Sequence, residues 1–476
     1  MSFVSAQSSH AVCEFCQSVV VRQAQTLARV GKVAEEFADY SPLRLGQRGQ
    51  WKGRDFTLVG RLQLGVENAR WTEWQAAFAD GSGHAFLSED NGAFVMSERQ
   101  VPGRELPPAN TWKLGAAVKF RSKPYTVTLV RQVRVVAAQG ELAHLPPIDA
   151  AFTLVELRSS DGQLLSFEYG DNRAEVWSGL PVDLASLGME GLSSASEERE
   201  EARHFNCPAC GGRVDVKLAE TRSISCSSCG TLIDVSNGVG AEVVAAKASQ
   251  HVTPAIALGK TGTLFDKPWQ VVGFQRKQGE DDEDTFEWDE YLLYNHGGGF
   301  AFLVKDESGW RFSEVLTGAP DIKRGRKPMA SYQGKHYFLA ESYSSSTRYV
   351  EGEFFWQVKT GEQTRHRDFR GAAGVADQLC EETTTGEVVW SRSSPVPANV
   401  VLAAFGLPLE RLPAYSPKSG MGNWIVFGLI ALLLIVSLSL LSHADQCDPA
   451  VEDCRSTQGR SYSGGGLGRA SGGWHK

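Results

Sequence analysis

The chain has 476 residues, 42% hydrophobic and 22% charged, with 49 glycines and 12 tryptophans. That is room for two or three domains with their own cores, and it excludes a disordered, collagen-like or polytopic membrane chain. Lys and Arg number 48 against 56 Asp and Glu, a net charge of −8, which is the wrong sign for a protein that coats nucleic acid.

The first residues, MSFVSAQSSHAVCEFC, hold neither a basic stretch nor an apolar one, so no signal peptide is expected. Cys13 and Cys16 form a C-x-x-C pair, half of a metal knuckle set. Three readings stay open: a start set too late that cuts off an upstream pair, a degenerate metal-free half-site, or a weak site completed by His10. Residues 1–40 are read as this partial ribbon-like segment and a helix.

A long repeat follows. Leu45-Gly46 matches Leu258-Gly259, Gly49 matches Gly262, and Val59-Gly60 matches Val272-Gly273. Trp71-Thr72-Glu73-Trp74 matches Trp288-Asp289-Glu290-Tyr291, Ala85-Phe86-Leu87 matches Ala301-Phe302-Leu303, and Glu98 matches Glu314. Weaker likeness runs on through Tyr125 and Tyr337 to Gly140-Glu141-Leu142 and Gly352-Glu353-Phe354. Each copy ends on a short apolar segment with a helix-capping residue, Asp183 and Asn399. A unit of about 150 residues is domain-sized, so two copies mean two domains, 41–190 and 254–412. Alternating and β-branched runs such as 56–59 and 125–136, broken at glycine turns, predict antiparallel β domains, sandwiches or half-open barrels. In a strand, residues two apart share a face, so Trp71 neighbours Glu73 and Trp288 neighbours Glu290.

Between the copies, a charged linker (191–204) leads to Cys207-Pro-Ala-Cys210-Gly-Gly and Cys226-Ser-Ser-Cys229-Gly within 205–235, and an Ala-rich linker (236–253) follows. Two C-x-x-C knuckles place four thiolates at the corners of a tetrahedron, which suits a structural Zn²⁺ with no open position. Disulfides and an iron site are the alternatives. The acidic run at 279–290 is read as a solvated loop.

After a juxtamembrane linker (413–423), residues 424–441 (WIVFGLIALLLIVSLSLL) carry no charge. At ~1.5 Å per residue this segment nearly matches a ~30 Å hydrocarbon core. Lys418 precedes it, and Asp445, Asp448, Glu452 and Asp453 follow, which puts the N-terminal bulk in the cytoplasm and the Gly/Ser-rich tail (442–476) outside. Cys447 and Cys454 would then be a candidate disulfide.

The pattern L-G-x-x-G, V-G, W-x-E-[WY], A-F-L, present twice, resembles the bacterial family called domain of unknown function 4178. Its members resemble the chain in layout: an N-terminal C-x-x-C ribbon, one copy, a central ribbon, a second copy, a membrane segment and a Gly/Ser tail. The likeness covers nearly all of the chain, except that the family's first ribbon has two knuckles where only Cys13 and Cys16 stand here. The resemblance implies no activity. Relatives are similar to genes near polyamine-synthesis-like and small membrane-protein genes, which implies a membrane or stress-linked system.

No Ser/His/Asp set, phosphate loop or dinucleotide glycine pattern stands out, so no catalytic residue is expected. The expectation is a non-catalytic binding or scaffold protein at the bacterial inner membrane, meeting protein partners there. Its contacts would be an exposed aromatic groove with acidic contacts, formed by Trp71, Glu73, Trp74, Trp288, Glu290, Tyr291, Glu141 and Glu353. One alternative is an enzyme or enzyme partner holding a cationic metabolite such as a polyamine on Glu73, Glu290 and the acidic run. Nucleic-acid binding through the ribbon is disfavoured by its near-balanced charge, Arg213, Lys217 and Arg222 against Asp215, Glu220 and Asp234.

Overall fold

The computed structural model describes residues 8–13, 18–23, 26–32 and 41–408, apart from 67–69, 103–104, 147, 149, 171–173, 193–202, 219–220, 236–242, 246–251, 282–283 and 297. Cys16, the apolar segment 424–441 and the tail with Cys447 and Cys454 lie outside the described residues. The described residues belong to one compact unit, Met1–Arg411. Among them no helix is long and apolar enough to cross a membrane.

The N-terminal segment supplies strands β1 (His10–Val12), β2 (Ser18–Gln23) and β3 (Thr26–Lys32), and the helix expected there is not among the described residues. The first copy supplies β4 (Arg48–Trp51), β5 (Arg54–Gly65), β6 (Arg70–Phe78), β7 (His84–Asp90), β8 (Ala93–Gln100), β9 (Ala117–Phe120), β10 (Lys123–Leu142), β11 (Phe152–Arg158), β12 (Leu164–Tyr169) and β13 (Ala174–Val182). Between the copies lie β14 (Arg203–Asn206), β15 (Arg213–Val216), β16 (Ser223–Ser225), β17 (Leu232–Asp234) and β18 (Val243–Ala245). The second copy supplies β19 (Thr261–Leu264), β20 (Lys267–Glu280), β21 (Thr285–Asn295), β22 (Gly299–Asp306), β23 (Gly309–Val315), β24 (Asp321–Lys323), β25 (Met329–Tyr332), β26 (Lys335–Phe354), β27 (Thr364–Gly371), β28 (Gln378–Thr384), β29 (Glu387–Val396) and the helix α1 (Ala398–Ala404).

Each copy is a closed antiparallel barrel. In the first, the ladder runs β5–β6–β7–β8–β13–β12–β11–β10 and returns to β5. In the second it runs β20–β21–β22–β23–β29–β28–β27–β26 and returns to β20. This corrects the sandwich or half-open expectation, and closure removes the unpaired edges that either would leave. The device is one long strand per copy. β10 pairs β11 through Val133 and then β5 from Arg134 onward. The close crossing at its far end explains the repeated V-G and G-E pairs. Gly140 and Gly352 take φ of 75° and 97°, and a Cβ on Gly60 would fall 2.0 Å from the Glu141 carbonyl oxygen.

Side chains from non-neighbouring strands meet inside each barrel. Leu62, Phe86, Val133, Leu154 and Trp177 form one interior cluster of the first. The opposite face of β6 and β7 packs Trp74, Ala76, Ala85 and Leu87 against Leu43 and Leu187, from the segments before and after the barrel. The second copy does the same with Tyr291, Leu293, Ala301 and Leu303 under Ile256, Val401 and Phe405. The helix-capping expectation is met in neither copy. Asp183 Oδ1 accepts the Ser186 N–H at 2.8 Å over a turn, whereas α1 starts after Pro397 with no side-chain cap and Asn399 lies within it. The barrels join through a main-chain to side-chain bond, Phe300 N–H to Asn91 Oδ1 at 2.6 Å, and a main-chain bond, Val130 N–H to the Gly386 carbonyl at 2.9 Å.

Candidate functional site

The four ribbon cysteines converge. Their Sγ atoms all lie within 4.8 Å of one another, with Cys207 3.8 Å from Cys229 and Cys210 3.7 Å from Cys226. A tetrahedron with metal–sulfur bonds of about 2.3 Å has edges of about 3.8 Å, so the set fits a closed four-thiolate metal site. Each knuckle is a tight turn: Gly211 N–H bonds the Cys207 carbonyl at 2.8 Å and Gly230 N–H bonds the Cys226 carbonyl at 2.7 Å. Their φ angles of 73° and 72° suit glycine. The Thr231 hydroxyl and main-chain N–H pull the Cys229 thiol down, while the neighbouring thiols push Cys210 up, so the first proton of the set leaves from Cys229.

The ribbon is part of the second module rather than a spacer. β16 pairs the end of β26, Ile224 opposite Glu353. Glu353, 6% exposed, accepts the Lys217 and Leu218 N–H groups at 3.0 and 3.1 Å and the Thr221 hydroxyl at 2.7 Å. The N-terminal hairpin repeats this on the first module: β1 pairs the end of β10, Ala11 opposite Glu141. Cys13 N–H bonds the Ser18 carbonyl at 3.0 Å as Cys226 N–H bonds that of Thr231 at 2.9 Å. Cys13 is therefore the counterpart of Cys226, and Glu141 and Glu353 are docking residues at matching places, both buried.

The W-x-E pairs form as their spacing implies. Trp71 Nε1–H donates to Glu73 Oε1 at 3.3 Å, and Trp288 Nε1–H donates to Glu290 Oε1 at 2.6 Å. The expected exposed aromatic groove is not formed. Trp74 and Tyr291 are wholly buried on the other face of their strands and Trp288 is 8% exposed. Trp74 Nε1–H reaches Glu89 Oε2, which also accepts the Ser41 hydroxyl. The Tyr291 hydroxyl accepts the Ala255 N–H at 2.9 Å. Both rings thus pin the segment that enters their barrel.

Glu73 and Glu290 instead turn into the barrels, where each meets a second repeated carboxylate that the sequence did not single out. Glu168 pairs Leu154 on β11, and Glu382 pairs His366 on β27, at equivalent ladder positions. In the first barrel Glu168 Oε2 lies 2.9 Å from His144 Nε2, and Glu175 Oε2 lies 3.4 Å from His144 Nδ1. Burial opposes the charge on His144, but Glu168, Glu175 and Glu73 outweigh it and hold its pKa above the ordinary value. Burial, with Glu168 close by, pushes the Glu73 carboxyl up to about 8. In the second barrel Lys277 Nζ, on β20, reaches across to Glu382 Oε1 on β28 at 3.7 Å. The Glu382 side chain keeps 38% of its surface accessible, against 10% for Lys277. Around it stand His366, Cys380, Tyr343 and Asp368. His366 Nδ1 is 3.7 Å from Cys380 Sγ, its Nε2 is 2.8 Å from Ser345 Oγ, and the Tyr343 hydroxyl donates to Asp368 Oδ2 at 3.2 Å. Burial raises the Cys380 thiol well above its ordinary value, so it is held as the neutral thiol.

The family model described as a domain of unknown function (DUF4178) matches residues 44–184 and 257–398, each match spanning one barrel. The chain belongs to this family. The tandem copies read from the repeat are thus two DUF4178 domains. No curated protein and no solved structure matches the chain.

Proposed function

We propose that this DUF4178 protein is a non-catalytic, membrane-anchored binding protein whose barrel carboxylates serve to hold small organic cations. One observation carries the reading: the same two carboxylates, Glu73 with Glu168 and Glu290 with Glu382, enter both barrels from the same pair of strands. Carboxylates away from bulk water cost free energy until a cation or hydrogen-bond donors reach them. The apolar segment 424–441 is the anchor, with Lys418 on the cytoplasmic side. Zinc is the metal assigned to Cys207, Cys210, Cys226 and Cys229, on the four-thiolate donor set and its spacing. It would brace the ribbon against the barrel.

Thermal unfolding with spermidine, against sodium chloride of equal ionic strength, tests the cation reading. At ten times Kd a ligand stabilises by about 1.4 kcal/mol. A rise in Tm with spermidine alone, absent from the Glu73→Gln/Glu290→Gln double variant, is expected; equal rises with both salts contradict it. The fixed joint between the barrels supports a second reading, a scaffold that presents tandem surfaces to protein partners. Co-purification from crosslinked membranes, beside a chain cut before Gly420, tests it. A stoichiometric partner lost with the anchor supports the scaffold, and no partner in either sample removes it.

A further inference from the structure

The two barrels supply different cations to the same carboxylate pair. Four residues beyond the V-G pair, β5 carries Leu64 and β20 carries Lys277. The positions are equivalent, since Leu64 stands opposite Trp71 as Lys277 stands opposite Trp288. In the second barrel the Lys277 ammonium, 10% accessible, lies 3.7 Å from Glu382 with Glu290 as a further charge partner. The carboxylate pair there already holds a primary ammonium on a four-carbon stem. In the first barrel the pair is kept and the ammonium is missing.

We propose that the first barrel binds a primary alkylammonium group at the position Lys277 occupies in the second, and that the second barrel is filled by its own lysine. This rests on the cation reading above and names the ligand class and the copy that takes it.

The charged partners of the first barrel are divided among its carboxylates. Arg99 takes Glu175 Oε1 at 2.7 Å, and Arg158 takes Glu156 at 2.8 Å. Among the described residues Glu73 and Glu168 are left with His144; with Glu73 protonated and His144 charged the three are neutral together, and loss of the Glu73 proton leaves one negative charge in excess. His84 and His10, the other titratable rings near this site, are both held towards the neutral form by burial and by His144. His84 Nε2 is buried without a hydrogen-bond partner among the described residues. The free ring nitrogen of a neutral histidine can accept a hydrogen bond from an ammonium N–H. The Trp177 ring lies 5.0 Å from Phe86, and aromatic faces of this kind attract a cation. His144, Glu168 and Glu175 keep 21, 12 and 18% of their side-chain surface accessible. Glu73 holds a proton at neutral pH. An arriving ammonium replaces that O–H with an N–H bond to the carboxylate, and the proton passes to the buffer.

The test is calorimetric titration of the full chain with n-butylammonium chloride, the lysine side chain without its backbone. It is run at fixed ionic strength in two buffers of different ionisation heat, with tetramethylammonium as control. The expected result is one site per chain, proton release at pH 7, and no comparable heat from tetramethylammonium, which has no N–H donor. Leu64→Lys should abolish binding by installing the missing ammonium, and Lys277→Leu should raise the stoichiometry to two. Should Leu64→Lys not fold, Glu73→Gln decides, with an expected loss of at least tenfold in affinity. Two sites in the wild-type chain, or wild-type affinity in a folded Leu64→Lys or Glu73→Gln chain, overturns the assignment of copies and leaves the cation reading standing. No butylammonium binding in either wild type or Lys277→Leu overturns both.

Discussion

Glu353 shows how one carboxylate can hold two units together. It answers two main-chain N–H groups and a hydroxyl that would otherwise be buried without a partner. Glu353→Ala orphans all three and should cost about 2–4 kcal/mol, read as a lower urea midpoint. Glu73 gives a pH dependence. Its folded pKa is raised, so the folded chain binds more protons than the unfolded chain between the ordinary carboxylate range and about pH 8. Stability contributed by the protonated group is therefore present at low pH and lost as pH rises through that window, at up to about 1.4 kcal/mol per unit. His144, also raised, acts in the same direction. Urea titrations from pH 5 to 8.5 should show this fall, and Glu73→Gln should flatten it; a Glu73→Gln chain with the wild-type slope would contradict the assignment. The W-x-E-[WY] motif marks the limit of the sequence at this scale. A period of two sets Trp71 and Glu73 on one face and Trp74 on the other, but parity does not say which face lies inside a barrel. Trp74 was misread as a contact for that reason.

The ribbon and the barrel are separate in sequence and continuous in structure. β16 extends the ladder of β26, and Leu218 and Leu232 of the ribbon pack with Leu292, Phe300 and Phe354 of the barrel. Removing the metal should therefore loosen more than the knuckles. After treatment with a chelator, amide exchange should rise across 203–235 and at 350–358 while β21–β23 stay protected, and Cys226→Ser should reproduce the pattern. Unchanged exchange at 350–358 would mean that the barrel holds its end without the ribbon. The four-cysteine set was legible because its spacing is chemistry in itself. Its docking was not, because Ile224 pairs with Glu353 across more than a hundred residues of chain. The same holds for Cys13, whose equivalence to Cys226 appears in the pairing of β1 with β10 and in no local pattern.

At the scale of the molecule, two modules built on one plan have diverged at their centres. The repeat was legible through residues that every copy needs for folding: the glycines of the crossing, and Trp74 or Tyr291 pinning the entry segment. Barrel closure was not legible, since it depends on a long strand changing partners at Arg134. Glu168 and Glu382 escaped notice because their strands, LLSFEY and QLCEETT, share little else. The change from Leu64 to Lys277 was visible in the alignment four residues after V-G, but it acquires meaning only once both side chains are seen to face carboxylates. On the proposal made here, the first barrel holds an acid pair short of a cation. Carbon-13 NMR of the glutamate carboxyls, with Glu73→Gln for assignment, tests it most directly. Glu73 should titrate near pH 8 in the free protein and move down towards the ordinary carboxylate range when n-butylammonium saturates the chain. A Glu73 that titrates as an ordinary carboxylate, unchanged by the amine, would contradict it.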